Sequence, residues 1–421
     1  MLDVKGKRLL ILGSTSNIAS IVKKAMDMGV YVIVTDNRSL DKAPAKRIAN
    51  KYYNISLADI DLVVDLIKKE KIDGVLTGFT DSYLKYYNEI CNKAGLPCYG
   101  GETQFGISTD KVKFKKMCRE NGVPDIPGGF AYSEQEAEEL VKKIGYPIML
   151  KPADNSGSRG VIKCENKNSL HSAYEYALSF SEIHCVICEK YLDCDNIGAS
   201  YQLENGEIKL TSVSDRHVYK ASDGGSSITK DLRYPSIYSE RYEKEVNEKF
   251  IKMLKCNGFA DGMLSIQAFV DKQSFYFCEM CFRPSGGHHY SIVQNQTGID
   301  GMGMLIEYAL NGKVEATPAI SPYFKKACGM ASVIGEAGEV IASIDGIEKI
   351  TEMDCVIELT QALFPGDKIG KDGTTAQILF YVWYYANDFK ELDTLIERIK
   401  HMVSCKNAEG KNLVKDIRYY V

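Results

Sequence analysis

A single acid, Glu279, stands inside the apolar run 275–282. Burying that carboxylate without a partner would cost several kcal/mol, so its surroundings must supply one. A second apolar stretch, 265–269, precedes it across a short turn at 271–274. Two such stretches joined by a short turn read as a β-hairpin. Strand side chains repeat every two residues, so Glu279, Cys281 and Arg283 share one face, and a three-residue loop sets Gln267 opposite Glu279. The outcome is an oxygen-rich patch with an arginine beside it, suited to Mg2+ and phosphate. The plain structural alternative is an internal Glu279–Arg283 ion pair.

Two further stretches carry the same chemistry. At 147–151 an apolar strand delivers Lys151 to a loop of small residues, Ser156-Gly157-Ser158-Arg159-Gly160. Small residues let backbone N–H groups approach phosphate oxygens while the lysine supplies charge. A P-loop has its lysine after the glycines; here it comes first. A surface loop following a strand explains the same residues. At 186–192 a strand ends in Glu189 and Lys190, whose edge groups can imitate base pairing to an adenine, although a solvated strand end accounts for them equally.

The first hundred residues alternate strand and helix: strands at 8–12, 30–35 and 74–77, helices at 17–28 and 57–70. This βαβ series predicts a parallel sheet covered by helices. The turn after the first strand keeps only Gly13 of a dinucleotide fingerprint, with Thr15 and Ile18 at the other two glycine places, so it reads as a structural turn. Helices at 134–144 and 169–179 and strands at 147–151 and 185–191 make a small α/β unit. Strands at 199–203 and 208–214 flank Glu204-Asn205-Gly206-Glu207 as a hairpin. The stretch from Asp215 to Asp231, with Arg216, His217, Gly224 and Gly225, reads as a loop that closes over substrate or simply links. Short strands and a helix at 388–404 end the chain.

With 421 residues, 45% of them hydrophobic, the chain can build two or three cores. Its 52 basic and 56 acidic residues leave a formal charge of -4, which predicts no nucleic-acid partner. No apolar run reaches signal-peptide or membrane-span length, so the expectation is a cytoplasmic protein with no membrane partner. Thirteen scattered cysteines in a chain this long read as reduced thiols rather than a disulfide framework. The pairs Cys185/Cys188 and Cys278/Cys281 lie in strand-like runs, without the tight turn a zinc knuckle needs.

Taken together, these runs resemble the ATP-grasp superfamily over nearly the whole chain. The resemblance implies a multidomain α/β and α+β architecture. It comprises an N-terminal Rossmann-like (pre-ATP-grasp) domain at 1–100, an ATP-grasp domain at 101–315 with a lid at about 130–205, and a C-terminal α+β domain at 316–421. Lys111, after Thr109-Asp110, matches the family's first phosphate cation and Lys151 its second. Ser156, Gly157, Ser158 and Gly160 match the lid loop over the phosphates. Glu189, Lys190 and Leu192 match the adenine contacts, and Asn196 falls at the ribose-binding acid. Gln267 and Glu279 match the two metal positions, and Arg283 the phosphate arginine. Cys281 stands where the family has Asn, and a thiol is a poor Mg2+ ligand. Ser285, Gly286, Gly287, His288 and His289 follow as acceptor-pocket candidates, although paired histidines are also ordinary loop residues.

What the resemblance implies is an ADP-forming, ATP-dependent carboxylate–amine ligase using ATP and Mg2+ (or Mn2+), with Lys151 and Arg283 catalytic. The C-terminal segment, with Phe364-Pro-Gly-Asp367 and Gly373-Thr-Thr-Ala-Gln377, is similar to that of L-amino acid ligases and purine-pathway ligases. The partners expected are a small carboxylate and an amine, with a homodimer by analogy. Two other readings stay open: a bicarbonate-activating enzyme like carbamoyl-phosphate synthetase, and an ATP-binding regulatory protein whose catalysis has decayed.

Overall fold

The computed structural model describes residues 2–154, 159–221 and 227–419. Its N-terminal part is the parallel sheet anticipated from the βαβ series. The strands run in the order Lys51–Tyr53, Tyr31–Thr35, Arg8–Leu12, Gly74–Leu76. The apolar residues of Arg8–Leu12 are all buried, as expected when helices cover both faces. Helix Ser16–Asp27 starts from Thr15, whose side chain accepts the Ile18 N–H. The helix placed at 57–70 begins later, at Ile60, because residues 56–59 form a turn in which the Asp59 N–H bonds the Ser56 carbonyl. Gly74 is required by close approach: a Cβ there would lie 2.1 Å from the Ala309 carbonyl oxygen. That contact seats the N-terminal sheet on helix Gly301–Asn311.

A second, four-stranded antiparallel sheet has the order Gly128–Ala131, Val186–Lys190, Ile148–Pro152, Ile162–Cys164. Helices Glu134–Ile144 and Leu170–Leu178 close one face over Ala137, Val141, Leu150, Ala173 and Cys188. Ser133 caps the first of these helices by accepting the Glu136 N–H at 3.3 Å. The other face is left to a cleft.

The floor is an eight-stranded antiparallel sheet. Its order is Phe275–Cys281, Gly262–Val270, Asp195–Glu204, Glu207–Lys220, Ser227–Tyr234, Ala327–Ile334, Ile378–Ala386, Val356–Gln361. Burial alternates residue by residue along Gly262–Val270, the pattern of a strand with one face in the core. Two expectations change here. The stretch 215–231 is strand at both ends rather than loop, since Asp215 to Lys220 pair with 227–233 across the hairpin. Residues 222–226 lie outside the described residues. The boundary drawn at 315/316 crosses one continuous sheet, because Asp231–Tyr234 pair with Cys328–Ala331. Helix Phe389–Met402, capped by Asp388, covers the distal strands. No helix among the described residues is long and apolar enough to cross a membrane.

Candidate active site

Between the smaller sheet and the floor lies a cleft of about 1080 Å³. Its walls include Lys111, Lys115, Lys151, Glu189, Lys190, Leu192 and Asn196, with Arg216, Gln267, Cys278 and Glu279 on the floor side. A cavity of this size takes a nucleotide-sized ligand.

The lid side is organised around Glu189, which is 3% exposed. Met149 pairs with Glu189 across the antiparallel strands, so Lys151 lies diagonal to it. The Lys151 ammonium donates to Glu189 Oε2 at 2.5 Å, and Lys115 Nζ is 2.7 Å from Oε1. Lys115, 1% exposed, also lies 3.1 Å from Asp125. Burial pushes the Glu189 carboxyl up, but the charges of Lys151 and Lys115 and their hydrogen bonds outweigh it and hold it at about 2. Burial lowers Lys151 and Glu189 raises it, and the balance is upward. Lys151 is therefore a fixed cation in the wall.

Both Glu189 oxygens are thus occupied by lysines, leaving adenine contacts to the neighbouring backbone. The Lys190 N–H bonds Pro127 and the Tyr191 N–H bonds Pro147, at 2.9 and 3.0 Å. Leu192 is the first residue past the strand whose N–H has no partner among the described residues. Lys190 Nζ folds back on the Tyr146 carbonyl at 3.1 Å. Asn196 Oδ1 is buried without a hydrogen bond and lines the same cleft. Lys111 opens helix Lys111–Glu120, which Asp110 caps by accepting the Val112 N–H at 2.8 Å. Of the loop residues, Ser156, Gly157 and Ser158 lie outside the described residues. Gly160 (φ 75°) packs against Phe180 rather than lining the cleft.

On the floor, Gln267 and Glu279 are direct cross-strand partners, by a different route from the anticipated one. The loop, 271–274, is four residues long, since Val270 pairs with Phe275. A bulge then shifts the register, so Ala268 faces Phe277 while Gln267 faces Glu279. Cys278 is the extra residue, and its thiol donates to the Gln267 carbonyl at 3.2 Å. Bulges re-aim side chains, and this one turns both Cys278 and Glu279 to the cleft.

Arg283 is elsewhere. Its Nε and Nη2 each lie 2.6 Å from an oxygen of Asp81, the first residue of helix Asp81–Ala94. The fork is therefore occupied by a carboxylate of the N-terminal part, and Arg283 lines a smaller cavity beside Ser285 and His289. Cys281 also lies off the cleft wall, with its sulfur 3.8 Å from Arg283 Nη2. Burial pushes its thiol up to about 12, so it stays neutral, a weak donor for a hard cation.

Residues 285–289 lie outside the large cleft too. His288 is fully buried in the left-handed region (φ 42°), stacked 4.5 Å from Trp383 and bonded through Nδ1 to Glu358 at 2.8 Å. The Gly287 carbonyl accepts from Trp383 Nε1 at 2.7 Å. Gly286 lies by Asn17, and Ser285 Oγ is buried without a partner. His289 bonds the Tyr234 hydroxyl, and burial followed by the His288 charge lowers it to about 4. Lys115, Asp81 and Arg216 were not singled out as site residues from sequence. Lys115 had a local signal, since it follows Lys111 by one helical turn; Asp81 had none.

Residues 110–316 match the family model of the carbamoyl-phosphate synthase L chain ATP binding domain. The chain is 28% identical over 291 residues to the carbamoyl phosphate synthase large chain of Clostridium acetobutylicum, 68% of this chain but 26% of that one. It is 26% identical over 296 residues to the formate-dependent phosphoribosylglycinamide formyltransferase of Sulfurisphaera tokodaii, covering 66% and 70% of the two chains. In fold it is similar to the L-amino acid ligase of Bacillus licheniformis, with a TM-score of 0.77 at 16% identity over 96% and 99% of the chains. The biotin carboxylase domain of Hydrogenobacter thermophilus 2-oxoglutarate carboxylase, solved with MgADP and bicarbonate, gives 0.80 at 18% identity over 97% and 91%. Residues 110–316, just under half of the chain, match that ATP binding domain model, and the fold of these solved structures is shared along the length of the chain.

Proposed function

We propose that the protein is an ATP-dependent, ADP-forming ligase that activates a small carboxylate as an acyl phosphate and joins it to an amine. The observation that carries this reading is the convergence of Lys111, Lys151 and Lys115 with Gln267 and Glu279 on one cleft. Phosphoryl transfer depends on positioning and charge neutralisation more than on acid–base groups, and this cleft supplies both. Lys111 and Lys151 hold phosphate oxygens, while the Leu192 N–H and Asn196 engage the base and ribose. Gln267 and Glu279 offer an amide and a carboxylate oxygen side by side, a donor pair that fits Mg2+ bound jointly with phosphates. That ion, when bound, screens the charge of the transferring group. Arg283, tied to Asp81, positions the N-terminal part against the floor rather than gripping phosphate.

An amino acid is the first reading of the carboxylate, supported by the fold shared with the L-amino acid ligase. A one-carbon acid is the second reading, favoured by the family model and by the formate-dependent relative. ADP release, measured with Mg2+ and ATP over a panel of amino acids, bicarbonate and formate with and without amines, tests both. Turnover that needs an amino acid supports the first, and turnover that needs bicarbonate or formate the second. ATP binding with no turnover on any panel member defeats both and returns the regulatory alternative.

A further inference from the structure

We propose that Arg216 is the arginine that meets the γ-phosphoryl group, an inference that rests on the ATP-dependent reading above. Arg216 lies on strand Glu207–Lys220, two residues beyond Ser214 and so on the same face. Ser214, Gly198, Gln267 and Glu279 form one row across four strands. Gly198 has no side chain and Ser214 a small one, so along the row only Gln267 rises between Arg216 and Glu279. Arg216 lines the cleft there, near enough for its charge to be felt by Glu279 and Cys278.

It differs from Lys151, Lys115 and Arg283 in its partners. Lys151 and Lys115 share Glu189, and Lys115 also meets Asp125. Arg283 is engaged by Asp81. Arg216 has no hydrogen bond or ion pair among the described residues, although burial lowers it from the ordinary arginine value. A half-buried guanidinium left unpaired is costly, and an arriving anion relieves that cost. The planar fork suits two oxygens of one phosphoryl group.

In the step it serves, a carboxylate oxygen bonds to the γ-phosphorus as the bond from that phosphorus to the β,γ-bridging oxygen breaks. ADP leaves with the bridging oxygen and its electron pair, no proton moves, and total charge is conserved. Arg216 holds the equatorial oxygens while this happens.

Isothermal titration of the full chain with Mg2+ and either AMP-PNP or ADP tests the assignment on wild type, Arg216→Gln and Arg216→Lys, with thermal melting as the folding check. Arg216→Gln should lose at least about tenfold in AMP-PNP affinity and keep its ADP affinity, and its ADP release should fall about a hundredfold. Arg216→Lys, which keeps the charge without the fork, should fall between, and carries the test if the glutamine variant does not fold. Equal losses for both nucleotides, or none, overturn the role of Arg216 while leaving the ligase reading standing. A wild type that binds neither nucleotide overturns the ligase reading and this inference with it.

Discussion

Arg283 and Asp81, 202 residues apart in sequence, meet in a bidentate ion pair with both N···O distances at 2.6 Å. The pair joins the end of the floor hairpin to the first helix turn after strand Gly74–Leu76, and the Phe79 N–H bonds the Pro284 carbonyl beside it at 3.0 Å. Removing one partner strands the other in a nearly dry site. Asp81→Asn should therefore destabilise the fold by about 2 kcal/mol, the cost of a buried pair reduced for the partial exposure of Asp81. Urea denaturation reads this directly; an unchanged midpoint would show that the pair contributes nothing net.

Lys151→Ala removes a fixed cation from the wall of the cleft. Loss of one preorganised charge of this kind costs about 3 kcal/mol, or a hundredfold in rate. Steady-state ADP release should fall by that factor, and wild-type turnover in the variant would refute the role given to Lys151.

Glu189 contributes stability that depends on pH. Its folded carboxyl is held at about 2 against an ordinary 4.5, so the unfolded chain takes up the proton first as pH falls. The contribution is complete above pH 4.5 and drains away toward about 2, amounting to about 3 kcal/mol at full strength. The stability difference between wild type and Glu189→Gln, followed by urea titration at several pH values, should shrink across that window. A difference constant with pH would contradict the ion-pair account.

His289 acts in a higher window. Its folded imidazole is lowered to about 4 from 6.5, so the unfolded state again binds the proton first. Stability tied to His289 is present above pH 6.5 and is lost as pH falls toward about 4. In His289→Gln this component of the acid-side decline should disappear, which thermal melts between those limits will reveal.

How far these features could be read from sequence depends on the range of the interaction behind each. The parallel N-terminal sheet, helix Glu134–Ile144 and the hairpin Asp195–Glu204/Glu207–Lys220 follow from local periodicity, caps and turn residues. The Gln267–Glu279 pairing was legible too, although the bulge at Cys278 was not, because one extra residue leaves no mark in an apolar run. The pairing of Arg283 with Asp81 was not legible, because the two lie in distant segments and no local pattern announces Asp81. Gly224 and Gly225 give the stretch around Arg216 the composition of a loop, which masks the strand residues on either side. The continuity of the floor past residue 316 rests on strand pairing between distant segments, which periodicity does not encode.

The most direct measurement is a crystal structure of the protein with Mg2+ and AMP-PNP. The account requires the triphosphate in the cleft between the two sheets, with Lys151 and Arg216 against its oxygens and the cation on Glu279 and Gln267. A nucleotide bound outside that cleft, or phosphates far from Lys151 and Glu279, would contradict it.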